Sequence, residues 1–211
     1  MMINCIALYG ICFFVPPQEW EVASPETLSP RVHIAFVGKS SSGLAPTINL
    51  ATEPVSISLP AYVEAVRKIH TADPNAKWRD LGRFDTKLGP GQLTEIEMST
   101  EQGKARLMQL MVVKGGLAYI LTACALKEEF PKHYKLFDRV LQSLQETDDL
   151  VESYPAHKRA ELKSALGALT GEKQWAKFEQ KIIHDFTEIG PYWQILMLSE
   201  ARAKLLTEGT K

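Results

Sequence analysis

Two apolar runs, residues 104–113 and 117–126, flank the dipeptide Gly115-Gly116. Both glycines reach φ > 0 without a steric penalty, so the pattern predicts a tight hairpin between two strands. The second run is apolar on both sides at strand spacing, with Leu117, Tyr119 and Leu121 on one side and Ala118, Ile120 and Cys124 on the other. A strand with two apolar faces belongs in the middle of a sheet that is covered twice. The first run alternates as well, Met108, Leu110 and Val112 against Leu107, Met111 and Val113. After Leu126 the period changes. Phe130, Tyr134, Phe137, Leu141 and Leu144 recur at helical spacing. A hairpin feeding a helix that lies back on its own sheet restricts the chain to layered α+β architectures.

The rest of the chain is read around this unit. Residues 3–15 read as two short strands about Tyr9-Gly10, stopped by Pro16-Pro17, which remove two backbone donors. Residues 31–38 and 47–52 are strands, the second with Ile48 and Leu50 opposite Asn49. Ser58 is placed as the N-cap of a helix with Pro60 in its first turn and a buried stripe of Tyr62, Val66 and Ile69. Residues 77–86 form a strand with Trp78 and Phe84 on one face. Gly89-Pro90-Gly91 turns into residues 92–100, where Leu93, Glu95 and Glu97 share one face and Thr94, Ile96 and Met98 the other. Beyond Gln145 a polar break, Glu146-Thr147-Asp148-Asp149, precedes three helical stretches at about 156–169, 172–189 and 192–206. The middle stretch carries the stripe Trp175, Phe178, Ile182, Phe186 and Ile189. The expectation is an antiparallel α+β domain over residues 1–146 and an all-helical extension over 147–211. The stripe would cover the sheet or pair with the tail of a second chain, giving a homodimer.

Composition narrows the function classes. Among 211 residues, 24 Lys and Arg face 25 Asp and Glu, a net charge of −1. Such a balance provides no global positive field for nucleic acid. Cys5, Cys12 and Cys124 sit in apolar runs without a CxxC pair. Buried reduced thiols and no disulfide are expected, which favours the cytoplasm. The apolar stretch 3–15 follows no basic residue, precedes no small-residue cleavage pattern and is too short to span a bilayer. It reads as structure, and no membrane span is expected.

Chemistry-bearing motifs are absent from the sequence. His33, His70, His133, His157 and His184 are scattered without HExxH or metal-ligand spacing. No Gly-x-Ser-x-Gly elbow occurs, and Lys39-Ser40-Ser41-Ser42-Gly43 lacks the phosphate-loop pattern. Glu95 and Glu97 share a face as an acid/base pair would, yet read as exposed strand carboxylates. No catalytic, cofactor or metal residue is therefore assigned, and neither a cofactor nor a metal is expected. The features that stand out are apolar: Ile96, Met98, Met108, Leu110 and Met111 in the sheet and Trp175 and Phe178 in the tail. Methionine adapts to varied apolar partners, so these seven are the candidate partner-binding residues; plain core packing is the competing account.

Five pieces of sequence, in order, carry a likeness. They are Tyr9-Gly10-Ile11-Cys12-Phe13-Phe14-Val15-Pro16 before Trp20; Asn49-Leu50; Ser58-Leu59-Pro60-Ala61-Tyr62; the Gln109 strand with its Gly-Gly turn and Leu121-Thr122-Ala123; and Phe130, Phe137, Leu141-Gln142-Ser143. In this order residues 4–146 resemble the PsbP-like superfamily, in the branch of bacterial DcrB-like proteins. The resemblance implies a curved antiparallel sheet flanked by helices, in proteins that work by binding other proteins and share no catalytic residues. The EagR-type adaptor chaperones of type VI secretion are similar to this chain in lacking a lipid anchor, and hold apolar helices on the sheet. The expected function is a non-catalytic adaptor or chaperone, associated with secretion, that shields an apolar segment of a partner protein. Two other classes stand beside it: an enzyme with a site between sheet and helical tail, and a structural subunit of a larger complex.

Overall fold

The computed structural model describes residues 11–14, 17, 20–23, 27–40 and 43–147. The chain divides into two compact units, residues 16–144 and residues 1–15 with 145–211. In chain order the strands are β1 (Ile11–Phe13), β2 (Glu21–Val22), β3 (Val32–Val37), β4 (Thr47–Pro54) and β5 (Lys77–Asp85). They continue with β6 (Pro90–Thr100), β7 (Gly103–Lys114), β8 (Leu117–Leu126) and β9 (Gln145–Thr147). Helix α1 (Leu59–Thr71) joins β4 to β5, and α2 (Phe130–Gln142) follows β8. Strands β1 and β9 pair antiparallel and are the described part of the smaller unit. The helical stretches expected beyond residue 147, with Trp175 and Phe178, lie outside the described residues, as does Cys5.

Unit 16–144 is a seven-stranded antiparallel sheet in the order β2-β3-β4-β8-β7-β6-β5, with two helices. The expected hairpin is at its centre: β8 lies between β4 and β7, and Lys114 pairs with Leu117 across the turn. Gly115 and Gly116 have φ of 59° and 80°, the left-handed values that a two-residue turn of this twist requires. The Gly116 carbonyl also accepts a hydrogen bond from the Val55 N–H at 2.8 Å, tying the turn to the end of β4.

Both faces of the hairpin are covered, as its two-sided apolar pattern requires. On one face α1 lays Leu59, Tyr62, Val63 and Val66 against Met111, Val113, Ala118 and Ile120. The Tyr62 hydroxyl donates to Glu53 on β4, and that carboxylate also pairs with Arg31 at 2.7 Å. On the opposite face Met108, Leu110, Tyr119 and Leu121 are buried, as are Phe130, Phe137, Val140 and Leu141 of α2. The guanidinium of Arg106, on that face of β7, lies 5.5 Å from the centre of the Phe130 ring.

Two local expectations are corrected. Ile69 is 73% exposed, because α1 turns Leu59, Tyr62, Val63 and Val66 to the sheet, an i, i+3, i+4, i+7 stripe that leaves Ile69 outside. Trp78 and Phe84 are on opposite faces of β5. Asp80 pairs with Thr94 and Gly82 with Leu93, so Leu81 is an extra residue that reverses the alternation beyond it. Gly82 supplies the φ of 91° the bulge needs, and its N–H donates to the Asp80 carboxylate at 2.7 Å.

Candidate functional site

Strand parity places a row of polar side chains across the α1 face of the sheet. Thr94 of β6 faces Gln109 of β7, Gln109 faces Thr122 of β8, and Thr122 faces Asn49 of β4. The Gln109 amide donates to the Thr122 hydroxyl at 3.2 Å, and the Thr94 hydroxyl donates to the Gln109 backbone carbonyl at 3.3 Å. Oε1 of Gln109 is buried and has no partner among the described residues. An unpaired buried acceptor costs on the order of 1–3 kcal/mol, which a donor brought by a ligand would recover. Leu107, Met98 and Cys124, all half-buried, are on the same face. Burial pushes the Cys124 thiol up to about 11, so it stays protonated and acts as a small apolar group.

Toward the sheet edge the same face opens into a cleft of about 420 Å³ between α1 and strands β5 and β6. Leu59, Val63 and Trp78 give it an apolar floor, and Arg67, Asp80 and Gln92 a polar rim. Arg67 is held by two hydrogen bonds to Glu64 at 2.8 and 2.9 Å, and the Gln92 amide donates to Asp80. The His70 ring stacks at a tilt on Trp78, 5.9 Å between centroids, and burial holds its pKa below the usual histidine value.

The other face of β5 and β6 carries a charged groove of about 580 Å³. Glu97 accepts from Arg106 at 2.5 Å and Lys127 at 2.7 Å, while Glu95 lies 3.5 Å from Arg79 and 3.8 Å from Arg106. The Lys127 hydrogen bond, with Arg106 behind it, holds the Glu97 carboxyl below the usual carboxylate range. The expectation that these two glutamates are exposed is corrected: Glu95 is 8% exposed and Glu97 half-buried, because both point at cations from neighbouring strands and a loop. A carboxylate held ionised by two cations, as Glu97 is, is poorly suited to give or take protons in general acid–base chemistry. No group of three His, Cys, Asp or Glu suited to a metal occurs among the described residues.

The sheet residues proposed to bind a partner divide between the two faces. Ile96, Met98 and Met111 are on the α1 face, and Met108 and Leu110 are on the α2 face. Ile96, Met108, Leu110 and Met111 are fully buried; Met98 is half-buried. Trp175 and Phe178 lie outside the described residues. Gln109, Thr94, Thr122 and Asn49 are not among the site residues expected from sequence, and only the pairing register brings them into one row. The signal in the sequence is one such polar residue within each of four strands.

No family model matches this chain, and no curated protein does. Solved structures do. LpqN of Mycobacterium tuberculosis, described as involved in cell envelope biogenesis, superposes with a TM-score of 0.50 at 15% identity over 65% of this chain and 85% of LpqN. The shared feature is the fold. Cyanobacterial PsbP from Synechocystis sp. PCC 6803 gives 0.48 at 11% identity, covering 64% of this chain and 86% of its own. The Ran-binding protein Mog1p of Saccharomyces cerevisiae gives 0.40 at 12%, covering 63% and 81%. Among the described residues no helix is long and apolar enough to cross a membrane.

Proposed function

We propose that this chain is a non-catalytic protein-binding module that receives an apolar segment of a partner on the α1 face of its sheet. The observation that carries the reading is the unpartnered Gln109 Oε1, buried on a face where Met98, Leu107 and Cys124 are half-buried. An apolar segment would remove these side chains from water at ~25 cal/mol per Å² and present a donor to the amide oxygen. Met98 and Leu107 would touch the segment directly, and Ile96 and Met111 would form the floor beneath it. Membership of the PsbP-like superfamily and of its DcrB-like branch, and an adaptor or chaperone role in secretion in the cytoplasm, extend the proposal. The order of the sequence pieces supports the branch and the role, the apolar setting of the cysteines supports the cytoplasm, and the fold shared with LpqN supports the superfamily fold alone. The division into residues 1–146 and a helical extension, with Trp175 and Phe178 on a buried stripe, is part of the same proposal.

The test uses a Leu/Ala-rich synthetic helix of about 20 residues with one central Ser, whose hydroxyl is a free donor for Gln109, too apolar to stay dispersed alone. Full-length protein is expected to hold it in solution one to one. Leu107→Glu and Gln109→Leu are expected to weaken that capture about tenfold or more, roughly 1.4 kcal/mol each. Capture by both variants at wild-type strength would refute the site.

A further inference from the structure

Strand β5 ends the seven-stranded sheet, and among the described residues no strand pairs with its outer side. Its side chains are exposed at Lys77, Arg79 and Asp80, and Arg79 is 69% exposed. The Leu81 bulge interrupts the regular strand after Asp80, and bulges are a common protection against indiscriminate edge pairing. What is left is a short regular edge, Lys77 to Asp80. It separates two clefts of unlike chemistry.

On the α1 side of this edge is the apolar floor of Leu59, Val63 and Trp78. On the α2 side four cations, Lys77, Arg79, Arg106 and Lys127, face the two carboxylates of Glu95 and Glu97. The carboxylates are engaged by Arg79, Arg106 and Lys127, and Lys77 has no ion-pair partner among the described residues. The groove therefore keeps a positive excess that its own residues do not neutralise. A strand added to β5 would alternate its side chains between these two environments, because successive residues of a strand point to opposite faces.

We infer that the Lys77–Asp80 edge accepts an extended segment of a partner protein with alternating acidic and apolar residues. The backbone supplies pairing, acidic side chains meet Lys77 and Arg79, and apolar ones enter the cleft beside Trp78. The short regular edge limits backbone pairing to about four residues, so most of the selectivity falls to the two clefts. The inference concerns the sheet edge and is separate from the face proposed above for an apolar segment.

Full-length protein is titrated with a fluorescent peptide of repeating Glu-Val, with its backbone N-methylated counterpart and with a block peptide of equal composition. The alternating peptide is expected to bind about tenfold or more tightly than either control, and to weaken as salt is raised from about 0.05 to 0.5 M. Arg79→Glu and, separately, Lys77→Glu are expected to lower its affinity at least about tenfold. Amide exchange at residues 77–80 should slow on binding. Equal binding of the N-methylated peptide would reduce the contact to charge alone and overturn the inference. Protection confined to residues 105–109 and 120–124 would also overturn it, by moving the contact to the sheet face. Unchanged affinity in both charge reversals, or tighter binding of a single-stranded oligonucleotide than of the peptide, would do the same.

Discussion

A Cβ added to Gly91 would lie 2.8 Å from the Met111 carbonyl oxygen and 2.8 Å from Leu110 Cδ1. Backbone cannot give way there, since β6 and β7 are paired through this region. Gly91→Ala is expected to cost about 1–3 kcal/mol, read as a lower urea midpoint with an unchanged slope. Glu97 and His70 both tie stability to acid pH. The folded Glu97 carboxyl has a lower pKa than the ordinary 4.5, so its contribution is present above that value and is lost as pH falls toward the folded pKa. His70 behaves oppositely in charge but alike in direction. Burial lowers its folded pKa below 6.5, so the unfolded chain binds the proton more readily and stability falls as pH drops below 6.5. Urea midpoints measured from pH 7.5 downward should decline in two stages. His70→Phe should remove the upper stage and Glu97→Gln the lower. An upper stage that survives His70→Phe would assign it elsewhere. At this scale the sequence was least legible: Glu95 and Glu97 occupy predicted positions, yet their cations come from Arg79, Arg106 and Lys127 on three separate segments.

At the level of elements, local chemistry and the fold agree most closely at the hairpin. Gly116 has a φ of 80° and its carbonyl is engaged by Val55, so Gly116→Val strains the turn and the end of β4 together. A cost of about 1–3 kcal/mol is expected, measured by thermal or urea unfolding. Wild-type stability would mean that the turn adopts another conformation in solution. Helix α1 begins as its sequence dictates, with Ser58 extended and Pro60 in the first turn, although the Ser58 side chain makes no capping bond. Its buried side was misread by one position in the final turn. The Tyr62, Val66, Ile69 spacing is consistent with a stripe, but the contact with β5 to β7 is made by Leu59, Val63 and Val66 with Tyr62. The bulge at Leu81 was not legible either. An Asp-Leu-Gly sequence permits a strand to continue or to bulge, and the choice rests on the partner register of β6.

At the scale of the molecule, residues 16–144 contain the sheet, both helices and the ion-paired groove. A fragment limited to these residues is expected to unfold cooperatively in urea, with coincident transitions by far-ultraviolet circular dichroism and by tryptophan fluorescence. Non-coincident transitions, or an insoluble fragment, would show that residues outside it complete the core. The sequence by itself determined the central hairpin, the period change into α2, the start of α1 and the antiparallel α+β class. Each is a short-range property, set by glycine conformation, proline geometry and the alternation of apolar residues within one segment. The tertiary structure alone decided the strand order, the reversal of alternation at Leu81, and the alignment of Asn49, Thr94, Gln109 and Thr122 across four strands. It also decided the encirclement of Glu95 and Glu97 by cations. These depend on which residues distant in sequence become neighbours, and that is fixed by burial summed over the whole sheet, where no single segment carries the information.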